Sequence, residues 1–100
     1  VEEVNSTIKI ASKSKELSSI LQYSMTPVVS KDIIGNSSSS IYDVSETRIL
    51  KSRFLRTLNW YDNEWGYSNR VVDLIDRLKN IIHWQIQKHI EKYFLIVYIL

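Results

Sequence analysis

Residues 59–71 read NWYDNEWGYSNRV, and this stretch joins two different patterns of apolar side chains. It holds two Trp and two Tyr among Asp, Asn, Glu and Arg residues, with a single Gly near its centre. A core segment would not contain so many polar groups, and a surface loop would not contain so many large rings. The run FLRTLNWY, at 54–61, is rich in aromatic and branched side chains and predicts a strand. From residue 63 onward the apolar spacing becomes helical.

The segment after this junction predicts one long helix over about residues 64–90. Its stripe repeats with helical spacing and consists of Val71, Leu74, Ile75, Leu78, Ile82, Gln85, Ile86 and His89. The chain then closes with YFLIVYIL, at 93–100, which is too short for a membrane-spanning helix of ~20 residues. Because this uncharged run has high β-propensity, it favours aggregation of the isolated chain.

The first residues predict another helix. One helical face carries Val1, Val4, Ile8 and Ala11, which indicates a helix over about residues 2–15. The first residue is Val rather than Met, and nothing precedes it to cap this helix. We therefore expect the chain to begin partway through a longer protein.

Between the two helices, short apolar runs alternate with turn residues. Their short connections favour antiparallel neighbours. The expected elements are an apolar patch at 20–23, an extended piece at 28–29, a turn at 35–36, strands entered at 41–42 and at 47–50, a turn at 51–53 and a strand at 54–61. The sequence therefore predicts an α+β fold with a helix, short antiparallel strands and a long C-terminal helix.

Composition excludes several classes of protein. A chain of 100 residues accommodates at most one domain. The net charge of +2 is no argument for a nucleic-acid partner, which requires a concentrated basic stripe. With no Cys, the chain has no disulfide, no thiolate metal site and no thiol nucleophile. His83 and His89 are six residues apart, whereas metal pairs on a helix are three or four apart, so we expect no metal site.

The polar residues of the junction allow two interpretations. Asn63 suits either a helix N-cap or a ligand contact, and the cap is the commoner use of Asn there. Asp62 and Glu64 suggest an acid–base pair, but carboxylates are also favoured at a helix start by the helix dipole. Gly66 marks either the close approach of a ligand or a tight first turn.

Three motifs together resemble the C-terminal part of the glyceraldehyde-3-phosphate dehydrogenase family. They are TPVVSKDIIGNSSSSIYD at 26–43, FLRTLNWYDNEWGYSNRVVDLI at 54–75 and, most specific, WYDNEWGYSNR at 60–70. The resemblance covers residues 1–78, and residues 79–100 form an atypical helical and apolar tail. Asn59 stands where the family usually has a small residue. The resemblance implies part of a catalytic domain in a subunit that also has a dinucleotide-binding domain of Rossmann type.

The same resemblance implies a role for two residues in binding the cofactor NAD. The side-chain amide of Asn63 is expected to bond the nicotinamide carboxamide, and Tyr67 to pack beside the nicotinamide ring. Trp60, Tyr61 and Trp65 are expected to pack around these two groups. No residue of this chain is expected to be a catalytic group, since the family's Cys nucleophile and its His lie upstream.

At the level of the whole protein, the resemblance implies a glycolytic enzyme. Such an enzyme oxidises glyceraldehyde 3-phosphate to 1,3-bisphosphoglycerate with NAD and phosphate, as a cytoplasmic homotetramer without membrane or nucleic-acid partners. Two alternatives remain: a catalytically inactive remnant that acts only as a structural or interaction fragment, and a membrane-surface peptide acting through its apolar end.

We expect the isolated 100-residue chain to show no dehydrogenase activity, because it contains no Cys to attack the aldehyde. The purified chain is mixed with glyceraldehyde 3-phosphate, phosphate and NAD, and the absorbance of NADH is followed. Turnover that persists after a control for contaminating host enzyme would contradict this expectation.

Overall fold

The computed structural model describes the backbone of residues 1–99 and the side chains of residues 1–91. Its elements follow in the order α1 (Glu2–Ala11), β1 (Leu21–Ser24), α2 (Ser30–Ile33), β2 (Ser40–Leu50), β3 (Phe54–Trp60) and α3 (Trp65–Ile99). The chain forms two compact units, Val1–Asn69 and a second that begins at Arg70, so α3 contributes to both. The predicted α+β class, with a first helix, strands and a long last helix, is confirmed.

The three strands form one mixed sheet in the order β1-β2-β3. β2 and β3 are antiparallel, as predicted, but β1 pairs with β2 in parallel, with Leu21 opposite Ser40 and Ser24 opposite Asp43. The expectation of antiparallel neighbours is therefore wrong for β1. The connection over residues 25–39, which contains α2, is long enough for the crossover that parallel strands require.

β2 is a single strand, not the two short strands expected at 41–42 and 47–50. Its pairing with β3 shifts between Asp43 and Arg48, so that more residues lie on β2 than on the facing part of β3. Such a bulge interrupts the ladder without ending the strand. The hairpin turn predicted at 51–53 is confirmed, and it holds Lys51 and Ser52 at φ of 48° and 60°. These two residues adopt left-handed conformations that turns of this kind normally give to Gly or Asn.

The core is built around β2, where Ile41, Tyr42, Asp43 and Thr47 are all buried. The Oδ1 atom of Asn5 on α1 accepts hydrogen bonds from the Tyr42 hydroxyl and from the Thr47 hydroxyl, both at 2.8 Å. The two hydroxyls also contact each other. This polar triangle attaches α1 to the central strand, and the ring of Tyr23 stacks on Tyr42 at 5.8 Å.

α1 ends at Ala11, four residues before its expected end. Beyond it, serine hydroxyls bond to nearby backbone groups: Ser12 Oγ donates to Lys9 O, and Ser14 Oγ accepts from Leu17 N. Such local bonds compete with helix continuation and favour turns. α3 begins one residue after its expected start and continues past residue 90. No described helix is long and apolar enough to cross a membrane.

We expect Tyr42→Phe to lower the free energy of unfolding by about 0.5–1.5 kcal/mol, because it removes a buried hydrogen bond. Thr47→Val removes the other donor and should cost a similar amount. The double variant should cost more than the sum, because the oxygen of Asn5 then loses both donors. Urea unfolding followed by circular dichroism measures these losses.

Tyr23→Phe is the matched control, because the Tyr23 hydroxyl makes no hydrogen bond to any residue that the structure describes. Its free energy of unfolding should be close to that of the parent chain. Strictly additive losses for Tyr42→Phe and Thr47→Val would show that the two hydroxyls do not share Asn5.

Candidate functional site

Asp62 lies just before helix α3 and caps its first turn. Its Oδ1 atom accepts hydrogen bonds from the backbone N–H of Glu64 at 3.0 Å and of Trp65 at 2.8 Å. These are donors that the first turn of a helix leaves without an intrahelical partner, and Asp is among the best residues for bonding them. The interpretation of Asn63 as the N-cap is therefore wrong by one position. The bonds to backbone amides match the other interpretation of Asp62, that of a carboxylate favoured at a helix start.

The second carboxylate oxygen of Asp62 holds a distant loop. Its Oδ2 atom accepts the backbone N–H of Gly35 at 2.9 Å, and Gly35 has φ +79°, a left-handed conformation that suits Gly. One carboxylate thus joins the loop after α2 to the start of α3. The amides of Trp65 and Gly35 lower the pKa of Asp62, partial desolvation opposes them, and the amide of Glu64 lowers it further.

A cleft of about 430 Å³ lies between α2 and the junction of β3 with α3. It is lined by Ser30, Ile33, Ile34, Trp60, Tyr61, Asp62, Asn63 and Glu64. The side chain of Asn63 is exposed at this cleft and makes no hydrogen bond to any residue that the structure describes. In α2, which contributes Ser30 and Ile33 to the cleft, the carboxylate of Asp32 accepts the backbone N–H of Val29 at 2.9 Å and so fixes the start of the helix.

Asp43 of β2 is a buried carboxylate that is only 2% exposed. It accepts the backbone N–H of Ser45 at 3.0 Å and the Ser45 hydroxyl at 2.6 Å. Burial raises the pKa of Asp43, but the Ser45 hydroxyl and amide, the Trp60 indole and the Val28 amide together lower it further than burial raises it. The Nε1 atom of Trp60 is buried without a hydrogen bond of ordinary geometry, so its effect on Asp43 is electrostatic.

The sequence analysis does not single out Asp43, although its carboxylate is buried in β2. The available signal was an Asp inside a predicted strand, where that residue type is depleted. Such a residue is tolerated only if its charge finds donors, and here the main donors are the hydroxyl and the amide of Ser45.

A family profile described as "Glyceraldehyde 3-phosphate dehydrogenase, C-terminal domain" matches residues 1–63. The chain belongs to this family. A glyceraldehyde-3-phosphate dehydrogenase of Borreliella burgdorferi is 54% identical over 77 residues, which is 77% of this chain and 23% of that protein. The Thermotoga maritima protein of the same name is 45% identical over 78 residues, 78% of this chain and 23% of that protein. The relative from Aspergillus oryzae is 46% identical over 80 residues, 80% of this chain and 24% of that protein.

These comparisons confirm the resemblance that the motifs indicated. They also place the chain within the C-terminal domain of the family, so it represents part of a larger fold. The chain spans about a quarter of the length of the curated relatives it matches.

Of the four aromatic residues of the junction, Trp60 and Tyr61 line the cleft, whereas Trp65 and Tyr67 do not. Tyr67 does not line the cleft with Asn63, and its side chain is 72% exposed. Tyr61 lines the cleft and is 63% exposed, whereas Trp65 is 51% exposed and does not line it. Trp60 is half-buried and does support the cleft.

Gly66 lies close to the backbone of the loop at residues 37–39, which we call the serine loop. A Cβ atom added at Gly66 would lie 3.1 Å from the carbonyl oxygen of Ser38, closer than most side chains approach a neighbour. A larger residue at this position would therefore require the serine loop to move by a few tenths of an ångström.

We expect acid to remove the contribution of Asp62 to stability. Since its pKa is lowered in the folded chain, the carboxylate stabilises the fold above the ordinary Asp pKa of about 3.9, and the effect is lost as pH falls through the folded-state pKa. Asp62→Asn retains one acceptor for the helix cap but has no second acceptor for Gly35. The parent chain should therefore exceed this variant in stability at about pH 6 and approach it at about pH 2 to 3.

Urea unfolding at both pH values measures this difference. Asp76→Asn is the matched control, because Asp76 is an exposed carboxylate on α3 without a hydrogen bond or ion pair to any described residue. A stability difference between the parent chain and Asp62→Asn that is independent of pH would contradict the assigned role.

Proposed function

We propose that this chain is the C-terminal segment of an NAD-dependent, phosphorylating glyceraldehyde-3-phosphate dehydrogenase and supplies part of its nicotinamide site. In this proposal residues 1–78 form the last part of the catalytic domain, and residues 79–100 form an atypical tail. Family membership supports the class of reaction. The alignments with relatives extend over 74–80 residues, which supports the division of the chain into a family segment and a tail.

One observation carries the assignment of Asn63. The amide of Asn63 is uncommitted at the rim of a cleft, while the adjacent Asp62 provides the helix cap. A primary amide has donors and an acceptor, and therefore matches the carboxamide of nicotinamide in both directions. An Asn that was retained only for capping would have its oxygen directed at the helix amides, as Asp62 has.

In this proposal Asn63 and Tyr67 contact different parts of the cofactor. NAD, when bound, accepts the hydride from the substrate. Asn63 would fix the orientation of the nicotinamide through its carboxamide, and thereby select the face of the ring that reacts. The exposed ring of Tyr67 would cover apolar surface of the cofactor in the complete subunit and exclude water from it.

The remaining parts of the reaction belong to the whole protein. The chain has no Cys, so the nucleophile that attacks glyceraldehyde 3-phosphate and the groups that hold inorganic phosphate would come from other parts of a complete subunit. We include in the proposal a cytoplasmic homotetramer, on the ground of family membership alone.

The test is a chimaera in which residues 1–78 replace the matching part of the Thermotoga maritima relative. Asn63→Ala should weaken the use of NAD by about 2- to 12-fold, which corresponds to losing a neutral hydrogen bond of about 0.5–1.5 kcal/mol. The melting temperature should stay unchanged because Asp62 still caps α3. Steady-state kinetics with varied NAD and thermal unfolding measure the two quantities.

Two further variants separate the cofactor contact from effects on folding. Asn63→Asp retains the size of the side chain and one acceptor but cannot donate to the carboxamide at neutral pH, so it should lose NAD affinity as Asn63→Ala does. Asn59→Ala restores the small residue of the family and removes an amide of equal size outside the cleft, so its NAD kinetics should match the parent chimaera. If Asn63→Ala lowers only the melting temperature, the cofactor role is wrong.

A further inference from the structure

A second cavity is lined in part by Ser38 of the serine loop and shares no residue with the cleft of Asn63. Its volume is about 620 Å³, within the ~300–1,000 Å³ that is usual for small-molecule sites. It is formed by the last turn of α1, by β1 and by residue 38 of the loop before β2. All of these segments belong to the first compact unit.

The polar side chains that line this cavity offer hydrogen-bond donors. Lys9 and Lys13 contribute two ammonium groups, and neither forms an ion pair with any residue that the structure describes. The Oε1 atom of Gln22 is already occupied, since it accepts from Asn36 Nδ2 at 2.8 Å, which leaves the N–H groups of Gln22 for another partner. Among the described residues that line the cavity, none is acidic.

Hydroxyl groups add to this set. The hydroxyls of Ser18 and Ser38 line the cavity and make no hydrogen bond to any described residue. The Ser12 hydroxyl, by contrast, donates to Lys9 O and thereby helps satisfy the end of α1. Two free hydroxyls, two ammonium groups and an amide can together surround a group that carries several acceptor oxygens.

Basic residues near a helix C-terminus are also favoured by the helix dipole, so the two lysines alone would be no argument for a site. However, the last carbonyls of α1 are bonded by the backbone N–H groups of Ser12, Lys13 and Ser14. The lysines are therefore not needed there as caps. The ammonium of Lys9 lies 5.8 Å from the centre of the Tyr23 ring, which holds it over the cavity wall.

The wall below the lysines is apolar. Leu21 and the ring of Tyr23 form it, and both side chains are half-buried. An inorganic anion would leave this surface in contact with water, whereas an organic anion would cover it. The arrangement therefore fits a ligand with a phosphoryl group at one end and a small apolar or aromatic body at the other.

We propose that the cavity bounded by Lys9, Lys13, Gln22 and Tyr23 binds a small phosphate monoester with an apolar body, at a site separate from the cleft of Asn63. The phosphoryl oxygens accept from the two ammonium groups, the Gln22 amide and the free hydroxyls. The apolar body lies against Leu21 and the Tyr23 ring. The site involves binding only, with no covalent step.

The experiment uses the full 100-residue chain and phenyl phosphate as the probe, with binding measured by ligand-observed saturation-transfer NMR. Lys9→Gln combined with Lys13→Gln should weaken binding at least about tenfold, the effect of losing one or two charge-assisted hydrogen bonds. Lys15→Gln combined with Lys31→Gln is the matched control, because it changes the net charge equally at exposed lysines outside the cavity. The control should bind as the parent chain does.

Gln22→Glu tests the site without removing a lysine. The new carboxylate can still accept from Asn36 but repels the phosphoryl group, so binding should again weaken at least about tenfold. Circular dichroism establishes whether each variant keeps the secondary structure of the parent chain. If the double lysine variant loses that structure, the binding measured with Gln22→Glu tests the proposal.

Several results would overturn the proposal. They are absence of phenyl phosphate binding, undiminished binding by Gln22→Glu, and an equal loss in the Lys15 and Lys31 control. Equal affinity for inorganic phosphate would overturn the assignment to an organic phosphate, and equal affinity for phenol would overturn the role of the anion.

Discussion

A single carboxylate organises the part of the chain on which the candidate site depends. Asp62 accepts three backbone N–H groups, two at the start of α3 and one from Gly35, which is 27 residues earlier in the sequence. Hydrogen bonds to a charged acceptor are stronger than those between neutral groups. Here two of them fix the first turn of α3, and the third fixes the distant loop at Gly35. With Asp62 fully occupied, the adjacent Asn63 keeps its own hydrogen-bonding groups for a partner outside the chain. The hydrogen bonds of Asp62 thus both join the two sides of the cleft and leave the amide of Asn63 without a capping role.

The central strand β2 uses polar groups on both of its faces. On one face, the hydroxyls of Tyr42 and Thr47 meet Asn5 of α1. On the other, Asp43 accepts hydrogen bonds from the amide and the hydroxyl of Ser45. Two side chains five residues apart in a regular strand would point to opposite faces. The bulge between Asp43 and Arg48 adds residues to β2 and brings Tyr42 and Thr47 to the same face. Attachment of α1 to the sheet therefore depends on an irregularity of the ladder.

The two concave sites of the first unit differ in chemistry. The cleft of Asn63 presents an uncharged amide beside the bonded carboxylate of Asp62, which suits a neutral, directional partner. The cavity of Lys9 and Lys13 presents donors without a compensating acid, which suits an anion. Ser38 of the serine loop lines the cavity of Lys9 and Lys13, and its carbonyl oxygen lies close to Gly66 at the start of α3.

The sequence by itself determined the family, the two helices, the β2–β3 hairpin and the importance of residues 60–70. These features depend on local periodicity and on a specific motif, and both can be read along the chain. Tertiary structure decided that Asp62 and not Asn63 caps α3, since Asp and Asn are nearly equal caps and only the distant Gly35 amide distinguishes them. It also decided that β1 is parallel to β2, that Asp43 is buried, and that Gly66 meets Ser38. Each of these depends on a contact between residues far apart in sequence, and no local pattern encodes which distant group will supply the partner.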